Sequence, residues 1–327
     1  MDILARARAM ELQGRSVIHM EIGEPDFSTT PGIVQAGIAA LQSGRTHYTP
    51  ALGLPELRVA IAASYPAHVR PDAGRVAVTP GASGALQLIF AALINPGDQV
   101  LMADPGYPCN RHFVSLFEGE PVAIPVDAST GYQLNADLVC QHWTKRTVAV
   151  LLASPSNPTG TLIPTDEMAR IARIVEERGG VLIVDEIYHG LVYGEAAVTA
   201  LSHSQNLFVV NSFSKYYGMT GWRLGWLVAP VSYVTDIDKL AQNIFLAAST
   251  PAQYAALAAF ETVVQQELQN RRDVFCERRD FLLPALRELG FEIPLVPQGA
   301  FYLYADCARF TDNSQAFAVG LLEKTGV

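Results

Sequence analysis

The amino-acid sequence predicts an α/β fold: a mostly parallel sheet flanked by helices, followed by a smaller α+β unit. Short runs rich in Val, Ile and Leu alternate with helical segments from Pro31 onward, and several of these runs are apolar throughout. A strand apolar on both faces is one that helices cover on both faces, as in a succession of β–α–β units. The alternation stops after Ala229, where long helical patterns take over.

In chain order, the N-terminal MDILARARAMELQGR carries Asp2, Arg6 and Arg8 among apolar residues. It reads as an amphipathic helix and not a signal peptide, whose apolar centre is uninterrupted. Pro31 and Pro55 stand at first-turn positions of two helices, where a missing N–H costs nothing. Strands are expected at Val76–Thr79, Gln99–Ala103, Pro121–Val126, Thr147–Ala153, Val181–Val184, Leu207–Asn211 and Leu224–Ala229. Between them Thr165–Arg178 shows a helical stripe of Met168, Ile171 and Val175. The smaller unit should contain a helical stretch from Pro251 to Leu289 with a bend near Pro284. A strand at Phe301–Ala305 and a last helix to about Lys324 complete it. Residues 1–28 are expected to join this unit, residues 29–230 to form the large one, and residues 231–327 the connecting helices and the small one.

With 327 residues, half of them hydrophobic, the chain can bury a large core. Its net charge of −9 and scattered basic residues exclude a nucleic-acid or anionic-membrane surface. Apolar runs such as Val148–Ala153 are strand-sized, too short to span a bilayer. Cys109, Cys140, Cys276 and Cys307 form no CxxC and no zinc-like spacing with histidine, so no metal is expected. They read as buried small hydrophobes in a reducing cytoplasm. The histidines make no HExxH or triad-like pattern, and His189 reads as structural.

The chemistry is concentrated after the strands. Ser212-Phe213-Ser214-Lys215 leads into Gly218-Met219-Thr220-Gly221-Trp222-Arg223 just beyond a predicted strand. A lysine is ordinarily a solvated surface residue, but here it follows an apolar strand among serines, glycines and aromatics. That setting suits an amine desolvated to form a Schiff base with an aldehyde. Arg223 offers a planar fork to a phosphate, and the Ser212 and Ser214 hydroxyls can bond the same oxygens. S-x-S-K followed by G-x-x-G-x-R resembles the cofactor-lysine segment of the class I/II aminotransferases, fold-type I pyridoxal-phosphate enzymes. The resemblance runs along essentially the whole chain and implies pyridoxal 5'-phosphate as cofactor.

Other segments fit this family. Val184-Asp185-Glu186-Ile187-Tyr188 puts an acid at the end of a buried strand, where it is costly unless a cation or hydrogen bonds meet it. On its own Asp185 could equally cap a following helix. The resemblance makes it the partner of the cofactor's pyridinium nitrogen, with Tyr188 bonding the phenolic oxygen. Ser154-Pro155-Ser156-Asn157-Pro158-Thr159-Gly160 is by itself a good turn, and by position Asn157 bonds the same oxygen. Pro80-Gly81-Ala82-Ser83-Gly84 turns from strand to helix, where small residues let N–H groups approach a phosphate. A dinucleotide-binding turn is a weaker reading, because the G-x-G-x-x-G spacing is incomplete. Ala82 and Ser83 are the phosphate-cup candidates. Tyr107 matches the tyrosine that stacks on the pyridine ring, and Tyr48 the one that reaches the neighbouring subunit's phosphate. Alone, either would be ordinary packing. Gly23, in Ile22-Gly23-Glu24-Pro25-Asp26-Phe27, matches the glycine that meets the substrate carboxylate; the plainer reading is a turn.

The resemblance thus implies transfer of an amino group from an L-α-amino acid to a 2-oxo acid, with Lys215 as general base. It also implies a homodimer with shared active sites. A carbon–sulfur β-lyase on the same fold, or a cofactor-binding protein weakened in catalysis, stand as alternatives. The family grips the substrate's α-carboxylate with an arginine after a Pro-Gly-x-x-Phe-Gly segment, and this sequence stops at Glu323-Lys324-Thr325-Gly326-Val327 before one. The small unit is therefore expected to be incomplete, with cofactor binding better preserved than substrate binding.

Overall fold

The computed structural model describes residues 2–327. One sheet is built from β1 (Val76–Thr79), β2 (Gln99–Asp104), β3 (Glu120–Pro125), β4 (Thr147–Ala153), β5 (Val181–Asp185), β6 (Phe208–Ser212) and β7 (Gly225–Val228). These are the seven strands expected from the sequence, each within one residue at either end. Their order is β1-β7-β6-β5-β4-β2-β3. β7 is antiparallel to both neighbours, and every other pairing is parallel.

Period-two alternation divides the strand residues between two cores. Val78, Val150, Leu152, Leu182, Val184 and Val209 face one layer, which includes Met168, Ile171 and Val175 of the helix Thr165–Glu177. Ala149, Leu151, Ile183, Val210 and Leu227 face the other, against Leu88, Ile89 and Phe90 of the helix Gly81–Leu93. Fully burying each of the larger aliphatic side chains contributes roughly 1.5–3 kcal/mol, so both faces must be covered for the sheet to be stable. Pro31 and Pro55 occupy the first turns of Pro31–Gln42 and Pro55–Ser64. The parallel strands β2, β4, β5 and β6 end on one side, and the loops that leave them there hold the residues of interest.

Two expectations for the C-terminal part do not hold. Phe301–Ala305 is not a strand: it makes no bridge of its own, and isolated bridges lie only on either side of it, Val192 with Gly299 and Glu292 with Asp306. A strand needs a partner ladder, and Phe301 and Tyr302 instead pack as aromatics against Tyr188. The stretch Pro251–Leu289 is two helices, Thr250–Leu257 and Thr262–Leu289. They are separated by a 3-10 turn and an extended Glu261, where Phe260 packs on Phe213 and Tyr217. The second helix runs on through Pro284. The cysteines are free and half-buried, not buried as expected, because none sits on a core-facing strand position. The helix Asp2–Leu12 lays Ala7 and Met10 on Leu322, and Ile18 N–H bonds Gly326 O at 2.8 Å. Among the described residues no helix is long and apolar enough to cross a membrane.

Candidate active site

A cleft of about 630 Å³ opens at the C-terminal ends of the parallel strands. Gly23, Ala82, Ser83, Tyr107, Asn157, Asp185, Tyr188, Ser212, Ser214, Lys215 and Arg223 all line it. Of the residues singled out in the sequence only Tyr48 lies elsewhere, 83% exposed on the surface.

Lys215 reaches the cleft from the end of β6. The intervening Phe213 is fully buried against Tyr217 and Trp226, with ring centroids 5.0 and 4.9 Å away. Ser212 Oγ accepts from Ser214 N at 3.0 Å and lies 2.9 Å from Ser214 Oγ, closing the turn before the lysine. Burial pulls the Lys215 ammonium below its usual value, Arg223 adds to that, and Glu24 and Asp185 oppose it. Its Nζ donates to Gly23 O.

Asp185 ends β5 and Glu186 follows it, and the alternation of side chains along the strand sends the two to opposite sides. Asp185 enters the cleft, its Oδ1 accepting from Ile187 N at 3.0 Å. Burial lifts its carboxyl to about 6, while the Lys215 charge draws it down. Glu186 turns away, accepting from Ala200 N at 2.7 Å and Thr199 Oγ1 at 3.0 Å, and its Oε2 is 3.3 Å from His189 Nδ1. Burial pushes Glu186 up to about 8 and His189 down to about 4, so neither is driven to carry charge at neutral pH.

Asn157, beyond β4, and Tyr188, beyond β5, converge on one atom. Asn157 Nδ2 donates to Tyr302 Oη at 3.3 Å, and Tyr188 Oη is 2.6 Å from the same oxygen. Tyr302 was not evident from the sequence, because nothing in its spacing ties it to partners 145 and 114 residues away. The cleft also includes Glu21, Glu24 and Thr220, with Thr220 Oγ1 donating to the Glu24 carboxylate. Tyr107 stands half-exposed at the mouth, its hydroxyl pushed above the usual range by burial.

The far end of the cleft is built by the antiparallel β1–β7 pair. Thr79 pairs with Gly225, so the residues just beyond, Gly81 and Arg223, are brought face to face. A Cβ on Gly81 would lie 2.5 Å from Arg223 Nη2, and one on Gly225 would lie 2.8 Å from Ala82 N. Gly81 has φ +70°, and Arg223 holds a left-handed φ of 54° and ψ of 54°. For a non-glycine residue that conformation is strained by roughly 1–2 kcal/mol. The helix Gly81–Leu93 starts here with no side chain capping its first-turn N–H groups, and Ala82 and Ser83 of that turn line the cleft.

The profile of aminotransferase class I and II matches residues 15–327. The chain is 40% identical, over its whole length and 85% of that protein, to valine–pyruvate aminotransferase of Mycobacterium tuberculosis. It is 33% identical to arginine–pyruvate transaminase of Pseudomonas aeruginosa, covering all of this chain and 84% of that one. A crystal structure of an aminotransferase from Mycobacterium tuberculosis superposes with a TM-score of 0.96 at 39% identity, over 100% of this chain and 85% of that one. The aspartate aminotransferase of Thermus thermophilus with maleate superposes with a TM-score of 0.94 at 29% identity, over 100% and 86%. The chain belongs to the class I and II aminotransferases, pyridoxal-phosphate-dependent enzymes that transfer an amino group between an amino acid and a 2-oxo acid.

Proposed function

We propose that this cleft is where the chain holds pyridoxal phosphate, with Lys215 as the carrier amine and general base. The convergence of Lys215, Asp185, Asn157 and Tyr188 from three different strand ends on one cleft carries the reading. The donor set fits the cofactor group by group. A phosphate suits the uncapped start of Gly81–Leu93, where Ala82, Ser83, Ser212, Ser214 and Arg223 surround a space that a Cβ on Gly81 would crowd. Asp185 supplies the acid that a pyridinium nitrogen needs, Asn157 and Tyr188 are hydrogen-bonding groups for a phenolic oxygen, and Tyr107 offers a ring to stack on.

When bound, the cofactor supplies the electron sink for breaking a bond at the substrate Cα. The protein's residues do the rest. Asp185, whose pKa burial raises, would be stabilised as a carboxylate by a nearby cation and would keep the ring nitrogen protonated. Burial lowers the Lys215 pKa, which raises the fraction of neutral amine able to take the Cα proton. The Gly23 backbone, one hydrogen bond from Lys215 Nζ, lies where it can meet the substrate carboxylate close to the base.

The donor is an L-α-amino acid and the acceptor a 2-oxo acid; valine with pyruvate is the first pair to test, from the relative at 40% identity. A homodimer with shared sites is supported by the exposed Tyr48, and a cytoplasmic location by four free thiols. The packing of Asp2–Leu12 on Leu322 supports grouping the N-terminal segment, residues 1–28, with residues 231–327 as a small unit beside a large unit of residues 29–230. Borohydride reduction of the yellow protein followed by peptide mapping should tag Lys215. The other lysines are Lys145, Lys239 and Lys324, and a tag on any of them would overturn the assignment.

A further inference from the structure

Asn157 and Tyr188, assigned above to the cofactor's phenolic oxygen, already share a phenolic oxygen that belongs to the protein. Tyr302 Oη accepts from Asn157 Nδ2 at 3.3 Å and lies 2.6 Å from Tyr188 Oη. Tyr302 presents to both the same chemical group that the cofactor would present. Tyr188 has a single hydroxyl proton, so it cannot donate to two phenolic oxygens at once. The Tyr302 hydroxyl also presses on the substrate side of the cleft, where a Cβ on Gly23 would lie 2.3 Å from it. Gly23 O in turn takes the Lys215 ammonium. Groups that should meet cofactor and substrate are therefore closed on one another around one side chain.

The backbone leaves Tyr302 free to withdraw. It sits between the bridges at Gly299 and Asp306 with no ladder of its own, so moving it breaks no sheet. Its ring is held by Phe301 at 4.9 Å and Tyr188 at 5.7 Å, contacts that do not require the hydroxyl.

We propose that Tyr302 is an internal ligand of the cofactor site, its phenol competing with the cofactor's phenolic oxygen for the Tyr188 hydroxyl and thereby setting cofactor affinity. This rests on the assignment of the cleft to pyridoxal phosphate. Tyr302→Phe keeps the ring and removes the competitor. Titration of the cofactor-free protein with pyridoxal phosphate, followed by tryptophan fluorescence, should show binding roughly two- to tenfold tighter in the variant, the worth of one neutral hydrogen bond. 3-Deoxypyridoxal phosphate, which lacks the contested oxygen, should show no such gain. A merely structural role would move both ligands alike.

Unchanged or weaker binding of pyridoxal phosphate to Tyr302→Phe overturns the proposal, as does an equal gain with the 3-deoxy analogue. If Tyr302→Phe does not fold, Tyr302→Leu removes the same hydroxyl and the same comparison decides. The unmodified protein separates this failure from that of the underlying reading. A borohydride tag on Lys215 without a gain in Tyr302→Phe sinks the competition alone, whereas no tag on Lys215 sinks the assignment on which it rests.

Discussion

Replacing Asp185 by asparagine should make the cofactor-free protein more stable while disabling it. Burial at the end of β5 lifts the Asp185 carboxyl from an ordinary 3.8 to about 6, even with the Lys215 charge drawing it down. The folded chain therefore binds a proton that the unfolded chain has released between those two values. Where the folded state holds more protons, stability falls as pH rises, so the loss runs through this window and is complete above about 6. The window is about two pH units wide, and at 1.36 kcal/mol per unit it is worth ~3 kcal/mol. Asp185 lines the open cleft and keeps 9% of its surface exposed, which brings the expected figure to about 1–3 kcal/mol. Asparagine keeps the oxygen that accepts from Ile187 N at 3.0 Å and carries no charge. Urea midpoints of wild type and Asp185→Asn should coincide near pH 4 and separate by pH 7.5, with the variant the more stable. Loaded with cofactor, the variant should lose turnover on the order of a hundredfold, the usual worth of a preorganised charge at a reacting group. A gap that does not change with pH, or a variant less stable at pH 7.5, would refute the claim that burial sets this carboxyl.

Gly81→Ala should weaken cofactor binding by about tenfold or more, because its Cβ would lie 2.5 Å from Arg223 Nη2 at the expected phosphate site. Gly131→Ala shares the positive φ, +67°, with nothing within 4 Å, so it should cost similar stability and leave affinity alone; equal affinity losses in the two variants would count against the phosphate site. Sedimentation at micromolar concentration should show a dimer, and Tyr48→Phe should weaken cofactor binding without dissociating it. A monomer with full cofactor occupancy would remove Tyr48 from the site.

What was legible in the sequence is what is local along the chain. Lys215, Asp185, Asn157 and Tyr107 each lie within a few residues of a strand end, so recognising the strand placed the residue. The split between Asp185 and Glu186 follows from the two-residue period of β5. The direction of β7 has a local cause as well: Phe213–Leu224, which separate it from β6, hold a 3-10 turn and no α-helix, whereas a parallel crossover usually carries one.

The contacts that complete the site depend on strand order, which apolar runs do not encode. Arg223 faces Gly81 because β7 lies beside β1, a neighbour more than a hundred residues away in the chain, and the strain at Arg223 exists only where those two ends meet. Tyr302 enters from outside the sheet altogether, on a segment whose apolar residues suggested a strand but which has no ladder to join. An apolar run signals burial, and burial is satisfied here by aromatic packing on Tyr188 and Phe275 instead of by pairing. The same packing that defeats the strand assignment brings the Tyr302 hydroxyl onto Asn157 and Tyr188. The point where sequence reasoning fails is thus also where the site acquires a contact that no local motif contains.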